Sequence, residues 1–181
     1  MSIDRGSASP VIRCARVTLR RLAIGDAHAI AAYRSDPEVA RYQSWEACTL
    51  ADAVLLCRRQ LSAEFGAPGT WFQFAIVRNA DDAVIGDCGV HFVAKDELEI
   101  GFTLGASDQG KGYATEAIAG VLDLAFGSLG MKRVTARVDT CNAGAIALLE
   151  RLGFRRDGAP ERAMFKGGWC EEIVFVRVGG G

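Results

Sequence analysis

The chain has 181 residues, 50% of them apolar and 24% charged, with a formal net charge of -1. This length suits one globular domain with its own core, and the near-zero charge gives no general attraction for nucleic acid or an anionic membrane. No apolar run reaches the roughly 18 residues of a membrane span and the chain opens with no signal-peptide pattern, so we expect a cytoplasmic protein.

Cysteine and histidine spacing gives no metal-binding pattern. The six cysteines form no C-x-x-C pair, and His28 and His91 do not lie at the spacing of zinc ligands. We therefore predict reduced thiols and no metal site. Residues 1–10 are predicted to be a flexible lead-in and the glycines 179–181 a flexible tail, which leaves 11–178 as a single domain.

The first half of the chain predicts a strand, two helices and three more strands. Residues 11–20 are typical of a strand, and Gly25 with Asp26 caps a helix that runs to Arg34. Thr49 begins a second helix, in which Leu50, Val54, Leu55, Arg58 and Leu61 recur at helical spacing. An antiparallel meander is predicted from three segments rich in Val, Ile, Phe and Trp: 71–78, 83–92 and 97–104.

The second half alternates strands with helices. Apolar residues recur at helical spacing from Ala114 to Leu129, and 133–139 alternates as a strand. Asn142 is a good N-cap for a helix that ends at Gly153, and strand residues then continue to the end of the chain. The predicted fold class is α+β.

The segment GASDQGKGYAT, residues 105–115, places three glycines between a strand and a strong helix. One interpretation is a nucleotide P-loop, since Gly105, Gly110 and Lys111 satisfy G-x-x-x-x-G-K. Gly112, however, stands where a Ser or Thr should hold magnesium. The preceding strand is also interrupted by polar residues, whereas a P-loop follows a buried parallel strand. The nucleotide interpretation is therefore disfavoured.

A second interpretation is a Q-x-x-G-x-A motif made by Gln109, Gly112 and Ala114. Its backbone N–H groups at a helix N-terminus would cradle a pyrophosphate without a metal. With the run GYATEAIAGVLDLAFGSLGMKRV and the N-x-x-A-x-x-L-L-E-R-L-G-F pattern of residues 142–154, this motif resembles the RimJ/RimL branch of the GNAT family of acetyltransferases. The resemblance is strongest over residues 97–155.

This resemblance implies a GNAT fold: a mixed central sheet of about seven strands, with an antiparallel N-terminal meander and a splayed central pair, flanked by about four helices. It implies an N-acetyltransferase that moves an acetyl group from acetyl-CoA to a primary amine, either a protein N-terminal α-amine or a small-molecule amine. A homodimer is also implied by the family alone. In the family, the strand equivalent to 97–104 pairs through its backbone with the pantetheine arm of the cofactor.

The cofactor-binding residues that the resemblance implies fall into three groups. The arm would contact Phe102, Thr103 and Leu104, the pyrophosphate would contact Gln109, Gly110, Lys111, Gly112, Tyr113 and Ala114, and Asn142 would reach the cofactor from the next helix. Lys111 is equally well explained as a solvated lysine at a loop tip, and Asn142 as an ordinary helix cap.

Glu99 is the candidate catalytic base, because the acceptor amine must lose a proton before it can attack. The alternative is that Glu99 pairs with an arginine. His91 lies either at the acceptor mouth or simply on the surface. Trp45, Trp71 and Trp169 are interpreted either as acceptor-pocket residues or as core packing.

One position departs from the family pattern. The resemblance places a Ser hydroxyl three residues after Asn142, but Ala145 stands there, and the nearest groups with a dissociable proton are Tyr113 and Cys141. The departing thiolate of CoA then needs another proton source, or water. The alternative function is a non-catalytic acyl-CoA-binding sensor or interaction protein on the same fold.

Overall fold

A computed structural model describes residues 9–45 and 47–180. Eight strands form one sheet in the order β1-β2-β3-β4-β5-β6-β8-β7, and every neighbouring pair is antiparallel except β5 and β6, which are parallel. The strands are β1 Ile12–Arg13, β2 Val17–Arg21, β3 Trp71–Arg78, β4 Ala83–Ala94, β5 Glu97–Leu104, β6 Arg133–Asp139, β7 Arg155–Phe165 and β8 Gly168–Val178. The helices are α1 Ala27–Arg34, α2 Pro37–Ala40, α3 Leu50–Ser62, α4 Tyr113–Asp123 and α5 Ala143–Arg151, and a π-helical turn, Leu124–Ser128, extends α4.

The α+β class is confirmed, and the differences in element number have local causes. The predicted first strand is divided in two by a turn, in which the Cys14 amide donates to the Val17 carbonyl at 2.9 Å. Pro37 starts the short helix α2, for which Asp36 accepts a hydrogen bond from the Glu38 amide. Proline fits the first helical turn, where its missing N–H would have no partner.

Helices cover both faces of the sheet, and the alternation of side chains along β3 shows how. Phe72, Phe74 and Ile76 join the larger core with α4 and α5, whereas Ala75 and Val77 point to a second core beneath α1 and α3. A strand places successive side chains on opposite faces, so one segment serves both cores.

Helix α3 forms as predicted but buries a different face. Ala53, Cys57 and Gln60 are buried, while Leu55 and Leu61 are exposed. The buried side chains are small or medium in size, which lets α3 lie close to α1. The helix was found from its periodicity, but the size of its apolar residues indicated the wrong face.

The two parallel strands at the centre of the sheet stay together for only three residues each. Residues 97–99 of β5 pair with 133–135 of β6, the last pair being Glu99 and Thr135. Beyond this point β5 continues beside β4 alone, and β6 continues beside β8. The splayed central pair is thereby confirmed. It opens the sheet at the carboxyl ends of the parallel strands, where open sheets commonly bind ligands.

The described parts of the two chain ends are packed against the fold. Ser9 accepts a hydrogen bond from Arg21 at 3.2 Å and Pro10 is buried. At the other end, the Gly179 amide donates to the Lys132 carbonyl at 2.9 Å. Residues 1–8 of the predicted lead-in and Gly181 of the predicted tail lie outside the described residues.

Gly86 on β4 controls how closely β4 and β5 approach. A Cβ there would lie 2.1 Å from the Thr103 carbonyl oxygen and 3.0 Å from the Leu104 Cα. We expect Gly86→Ala to lower the free energy of unfolding by about 1–3 kcal/mol, because backbone must move to relieve the contact. Urea denaturation measures this. Gly25→Ala is the control, since a Cβ there meets nothing within 4 Å. Equal stability of the two variants would contradict the packing described.

Candidate active site

A cleft of about 770 Å³ fills the opening between the separated strands. Its walls come from the last residues of β5, the last residues of β6, the first turn of α4 and the start of α5. The residues that line it in these elements include Ile100 to Leu104, Ala136 to Asp139, Ala114, Thr115, Asn142, Ala145 and Arg151. Strand separation therefore creates a ligand-sized space in the middle of the sheet.

The edge of β5 that faces this cleft offers main-chain hydrogen-bonding groups. The main-chain carbonyls of its even-numbered residues point toward the cleft. The Phe102 carbonyl accepts a hydrogen bond from Gln43 Nε2 at 3.4 Å, and the Leu104 carbonyl accepts one from Gln109 Nε2 at 3.0 Å. Two side-chain amides thus occupy the places where a ligand's amides would bind. The Thr103 carbonyl instead points toward β4, so Thr103 faces the cleft with its side chain rather than its main chain.

The glycine loop leads from β5 to the N-terminus of α4. Gly110 and Gly112 have φ of 73° and 83°, in the left-handed region that favours glycine, and Gly112 is the N-cap of α4. A Cβ at Gly110 would meet nothing within 4 Å, and one at Gly112 would meet only Arg16 Nη2 at 3.1 Å. Backbone conformation therefore explains both glycines. The loop aims the free N–H groups of the first turn of α4 at the cleft.

The predicted phosphate-loop residues divide into two groups. Gln109, Gly110, Gly112 and Ala114 line the cleft. Lys111 and Tyr113 are not among its lining residues, and their side chains have other contacts. Lys111 Nζ lies 3.4 Å from Asp108 Oδ1. The Arg16 guanidinium stacks on the Tyr113 ring, with its central carbon 5.1 Å from the centroid of the ring.

Arg16 holds the loop in place and was not predicted from the sequence. Its Nη1 donates to the Lys111 carbonyl at 3.0 Å, and its Nε donates to Glu116 Oε2 at 2.7 Å. Arg16 thereby ties the turn before β2 to both the glycine loop and the first turn of α4. No local pattern indicates this role, because the residues concerned lie about 100 positions apart.

Three arginines line the cleft and were also missed by the sequence analysis. Two of them face carboxylates of the same lining, with Arg41 Nη1 3.9 Å from Glu38 Oε2 and Arg137 Nε 3.9 Å from Glu172 Oε2. Arg41, Arg137 and Arg151 line it, and Arg151 Nη1 lies 3.5 Å from Thr115 Oγ1 in the first turn of α4. A guanidinium beside a helix N-terminus favours a phosphate group. The near-zero net charge of the whole chain gave no indication that arginines would gather at one cleft.

The start of α5 brings proton-bearing groups to the cleft. Asn142 caps the helix by accepting from the Ala145 amide at 3.1 Å, and Ala145 itself lines the cleft without a hydroxyl. Cys141 and Tyr42 also line it, and the Tyr42 hydroxyl donates to the Cys141 carbonyl at 3.1 Å. Tyr42 was not singled out from the sequence, because nothing local connects it to α5.

A second cavity, of about 280 Å³, lies beside the cleft. The two spaces share Gln43, Gly101, Phe102 and Thr103 in their linings, so both lie along the end of β5. Its remaining lining residues are Arg34, Ser44, Trp45, Trp71, Gln73, Asp87 and Gly89. Trp45 and Trp71 therefore line this second cavity. Trp169 is exposed on β8 and lines neither space.

A buried ion pair forms part of the wall of this second cavity. Arg34 Nη2 lies 2.8 Å from Asp87 Oδ1, and Tyr33 donates its hydroxyl proton to the same carboxylate. Burial and then the Asp87 charge raise the pKa of Tyr33 well above its usual value, so the phenol stays a neutral donor. The Trp45 ring stacks on Arg34, with the guanidinium carbon 3.9 Å from the ring centroid.

Glu99 and His91 form a pair on the same face of the sheet. They are directly opposite on β5 and β4, with His91 Nδ1 3.4 Å from Glu99 Oε2. The His91 ring stacks on Trp71 with centroids 5.0 Å apart. Within the described part of the chain, the ionisable partner of Glu99 is His91, and Arg133 contacts Glu97. The structure thus brings together a carboxylate and an imidazole beside the second cavity.

Trp71 separates this pair from the second cavity. Its ring lies against the Cα positions of Gly89 and Gly101, where an added Cβ would be 2.9 Å and 4.0 Å from ring atoms. Glu99 lies opposite His91, two residues before Gly101 on β5, and it lines neither cavity.

The cleft fits a coenzyme A thioester. A strand edge suited to amide groups leads directly to a helix N-terminus suited to phosphate, and arginines lie alongside. Within residues 9–45 and 47–180, no three His, Cys, Asp or Glu side chains group to hold a metal ion. No helix in that part of the chain is long and apolar enough to cross a membrane. The fold and cleft define an acyltransferase of the coenzyme A-binding class.

Comparison with known proteins gives the family. Residues 16–155 match the model of the acetyltransferase (GNAT) domain. The "Uncharacterized N-acetyltransferase p20" of Bacillus licheniformis is 35% identical over 148 residues, covering 79% of this chain and 81% of that protein. The chain belongs to the GNAT family of acetyltransferases, and it is an acyltransferase enzyme.

Solved structures share the fold over nearly the whole chain. RimL, a ribosomal L7/L12 alpha-N-protein acetyltransferase in complex with coenzyme A, superposes with a TM-score of 0.82 at 14% identity, covering 93% of this chain and 98% of that one. RimJ of Mycobacterium smegmatis, in complex with CoA-disulfide, gives 0.76 at 22% identity, covering 90% and 81%. These two structures share the GNAT fold with this chain.

Replacing Gly112 tests the loop. We expect Gly112→Val to weaken acetyl-CoA binding by about tenfold or more, because a branched side chain at positive φ costs about 1–3 kcal/mol and shifts the N–H groups. Isothermal titration calorimetry measures the affinity. Gly66→Val is the matched control, since Gly66 also has positive φ, 93°, but lies outside the cleft. If both variants bind acetyl-CoA like the parent, the loop does not hold the cofactor.

Proposed function

We propose that the chain is an N-acetyltransferase that moves an acetyl group from acetyl-CoA directly to a primary amine, on a protein N-terminus or a small molecule. The observation that carries this is that two cavities share residues 101–103 in their linings. A thioester held in the larger cleft and an amine held in the smaller cavity then come together at one strand.

Acetyl-CoA is proposed to lie along the free edge of β5. Its amide-bearing arm would replace Gln43 and Gln109 at the Phe102 and Leu104 carbonyls, and its phosphates would lie at the N-terminus of α4. Arg151 is placed to supply positive charge to a phosphate there. The cofactor brings an activated acetyl group, and the chain's residues orient it.

Glu99 is proposed to accept the proton that the acceptor amine loses as its nitrogen forms the C–N bond and the C–S bond breaks. The His91 ring, with Nδ1 3.4 Å from Glu99 Oε2, would hold the carboxylate in position. Trp71 holds the imidazole in place by stacking. A water at the edge of Trp71 would connect Glu99 to the amine, since Glu99 does not line the cavity.

The departing thiolate needs a proton from another group. Ala145 offers none, and Tyr113 lies beneath Arg16 outside the cleft lining. We therefore assign this role to Tyr42, whose hydroxyl lines the cleft beside Cys141. The phenol would donate its proton to the sulfur as the C–S bond breaks.

Ala145 also favours a second candidate function, a non-catalytic acyl-CoA-binding sensor or interaction protein. Such a protein would keep the cleft and the glycine loop but would need neither Glu99 nor the smaller cavity. Both are formed here, and Glu99 has a titratable partner in His91. Acetylation of any amine faster than the uncatalysed reaction would support the enzyme and exclude the non-catalytic binding protein.

The setting and assembly of the chain are also proposals. A cytoplasmic location is supported by six free thiols, none of which forms a disulfide in the structure. A homodimer is supported by the exposed Met164 and Trp169 on the outer strands β7 and β8. A single domain over 11–178 is supported by the one continuous sheet, to which strands from both halves of the chain belong.

Calorimetry tests the cofactor. We expect acetyl-CoA to bind the purified protein, and ATP with magnesium not to bind. Arg151→Gln should weaken acetyl-CoA binding by about tenfold, the value of a charge-assisted hydrogen bond, while Arg155→Gln on the exposed part of β7 should not. Absence of acetyl-CoA binding by the parent chain would remove both candidate functions.

Glu99→Gln tests the base. We expect kcat to fall by about 10²-fold or more with acetyl-CoA affinity unchanged, because the amide cannot take the proton. Glu97→Gln is the control, since Glu97 lies two residues earlier on the same face and contacts Arg133. Steady-state kinetics between pH 6 and 9 gives the comparison. Equal kcat for the two variants at every pH would exclude Glu99 as the base.

A further inference from the structure

The peptide unit between Lys111 and Gly112 lies at the edge of the cleft, and its orientation decides what it offers to a ligand. Its carbonyl oxygen belongs to Lys111 and its N–H to Gly112, and in a trans peptide these two groups point in nearly opposite directions. Gly112 lines the cleft, whereas Lys111 does not. One orientation therefore presents a hydrogen-bond donor to the cleft, and the reversed orientation presents an acceptor.

The two residues do not fix this orientation by themselves. Reversing the peptide plane changes mainly ψ of Lys111 and φ of Gly112 and leaves the path of the chain nearly unchanged. Gly112 has φ of 83° and, being a glycine, would adopt a negative φ about as readily. It is also the N-cap of α4 and has no side chain that could bond to the first turn. A contact from outside the loop must therefore select the orientation.

Arg16 makes that contact. Its Nη1 donates to the Lys111 carbonyl at 3.0 Å, and Arg16 is not among the residues that line the cleft. Its Nη2 lies close to Gly112 as well, 3.1 Å from the position that a Cβ there would occupy. The carbonyl is thereby held on the guanidinium, away from the cleft, and the N–H of Gly112 is directed to the opposite side.

The guanidinium is itself held in place by the first turn of α4. Its Nε donates to Glu116 Oε2 at 2.7 Å, and the main-chain N–H of Arg16 donates to the other oxygen of the same carboxylate. The guanidinium also stacks on the Tyr113 ring. A planar group with five N–H donors can make all these contacts at once. Arg16 is thus fixed to the same helix whose N-terminal N–H groups border the cleft.

We propose that Arg16 is a positioning residue for the cofactor, which holds the Lys111–Gly112 peptide so that the Gly112 N–H donates to a phosphate of acetyl-CoA. With the peptide reversed, the Lys111 carbonyl oxygen would face the phosphate, so that a donor is lost and a repelling acceptor is gained. This inference rests on the proposed function, because it concerns the phosphate end of the same cofactor site.

The effect of removing Arg16 should be confined to the end of the loop. The Arg16 side chain is 53% exposed, and ion pairs of such exposed groups contribute little to the stability of a fold. The start of the loop has a separate anchor, since Arg78 Nη1 lies 2.6 Å from Asp108 Oδ1. We therefore expect Arg16 variants to fold and to keep the rest of the cleft.

Arg16→Gln tests the proposal. We expect it to weaken binding of acetyl-CoA by about tenfold, the value of a charge-assisted hydrogen bond, and to leave binding of acetyl-pantetheine, which has no phosphate, unchanged. Calorimetry measures the first affinity and an NMR titration the second. Arg13→Gln is the matched control, because Arg13 is exposed on β1 and lines neither cavity. Equal losses for the two ligands, or no loss for acetyl-CoA, would overturn the proposal.

A second variant separates the hydrogen bond from the charge. Without Arg16, the Glu116 carboxylate in the first turn of α4 would lose its cationic partner and would repel a phosphate. In the double variant Arg16→Gln/Glu116→Gln that charge is removed as well, and we expect the loss of acetyl-CoA affinity to persist. Recovery of the parent's affinity would show that Arg16 only neutralises Glu116, and the positioning role would be wrong.

NMR observes the proposed donor directly. The Gly112 amide proton of the parent chain should move downfield when acetyl-CoA binds, because a hydrogen bond to a phosphate oxygen deshields the proton. Acetyl-pantetheine should leave it in place. An unchanged Gly112 resonance at saturation with acetyl-CoA would show that this N–H does not bind a phosphate, and that result contradicts the proposal whatever the variants do.

These measurements use binding alone, so failure of this inference and failure of the proposed function are distinguishable. A parent chain that binds acetyl-CoA but acetylates no amine would contradict the proposed function, and a phosphate-dependent loss in Arg16→Gln would still support the role of Arg16. Undiminished binding by Arg16→Gln in an active enzyme would overturn the role of Arg16 alone. Absence of acetyl-CoA binding by the parent chain would overturn both.

Discussion

The separation of β5 from β6 after Glu99 and Thr135 is the constraint on which the rest of the molecule depends. Paired strands satisfy each other's main-chain groups, so each residue of separation leaves polar groups that need another partner. The chain meets this need with side-chain amides at Phe102 and Leu104 and with a space of about 770 Å³ that a ligand can fill. This space at the centre of the sheet is where we propose that acetyl-CoA binds, and the glycine loop beside it connects the end of β5 to the start of α4.

Much of this arrangement was predictable because it is encoded locally. The bounds of β3, β5 and β6 agree with the alternating segments predicted from the sequence, and Asn142 caps α5 as its residue type indicates. The glycines of the loop were found because a positive φ leaves few choices of residue. The spacing of apolar residues and the residue types at caps and turns encode these features, so they can be predicted from one sequence.

What escaped prediction depends on contacts between distant residues. Tyr42 and Arg151 line the cleft from distant parts of the chain, and Arg16 holds the glycine loop beside it. No local pattern marks these three residues. The sequence analysis expected the large apolar residues of α3 to form its buried face. In the structure, the smaller residues Ala53 and Cys57 are buried in the second core. The pairing of Glu99 with a histidine rather than an arginine was likewise a matter of strand register, which sets which side chains lie opposite.

The two glutamine side chains on the free edge of β5 have a consequence for solubility. An unpaired strand edge is a template onto which a strand from a second chain can add, and such additions lead to aggregation. Gln43 and Gln109 occupy the Phe102 and Leu104 carbonyls, and the edge lies inside a cleft rather than at the outside of the sheet. The exposed edge of β5 can therefore bind a narrow ligand, whereas a strand from a second protein is too wide to pair with it inside the cleft.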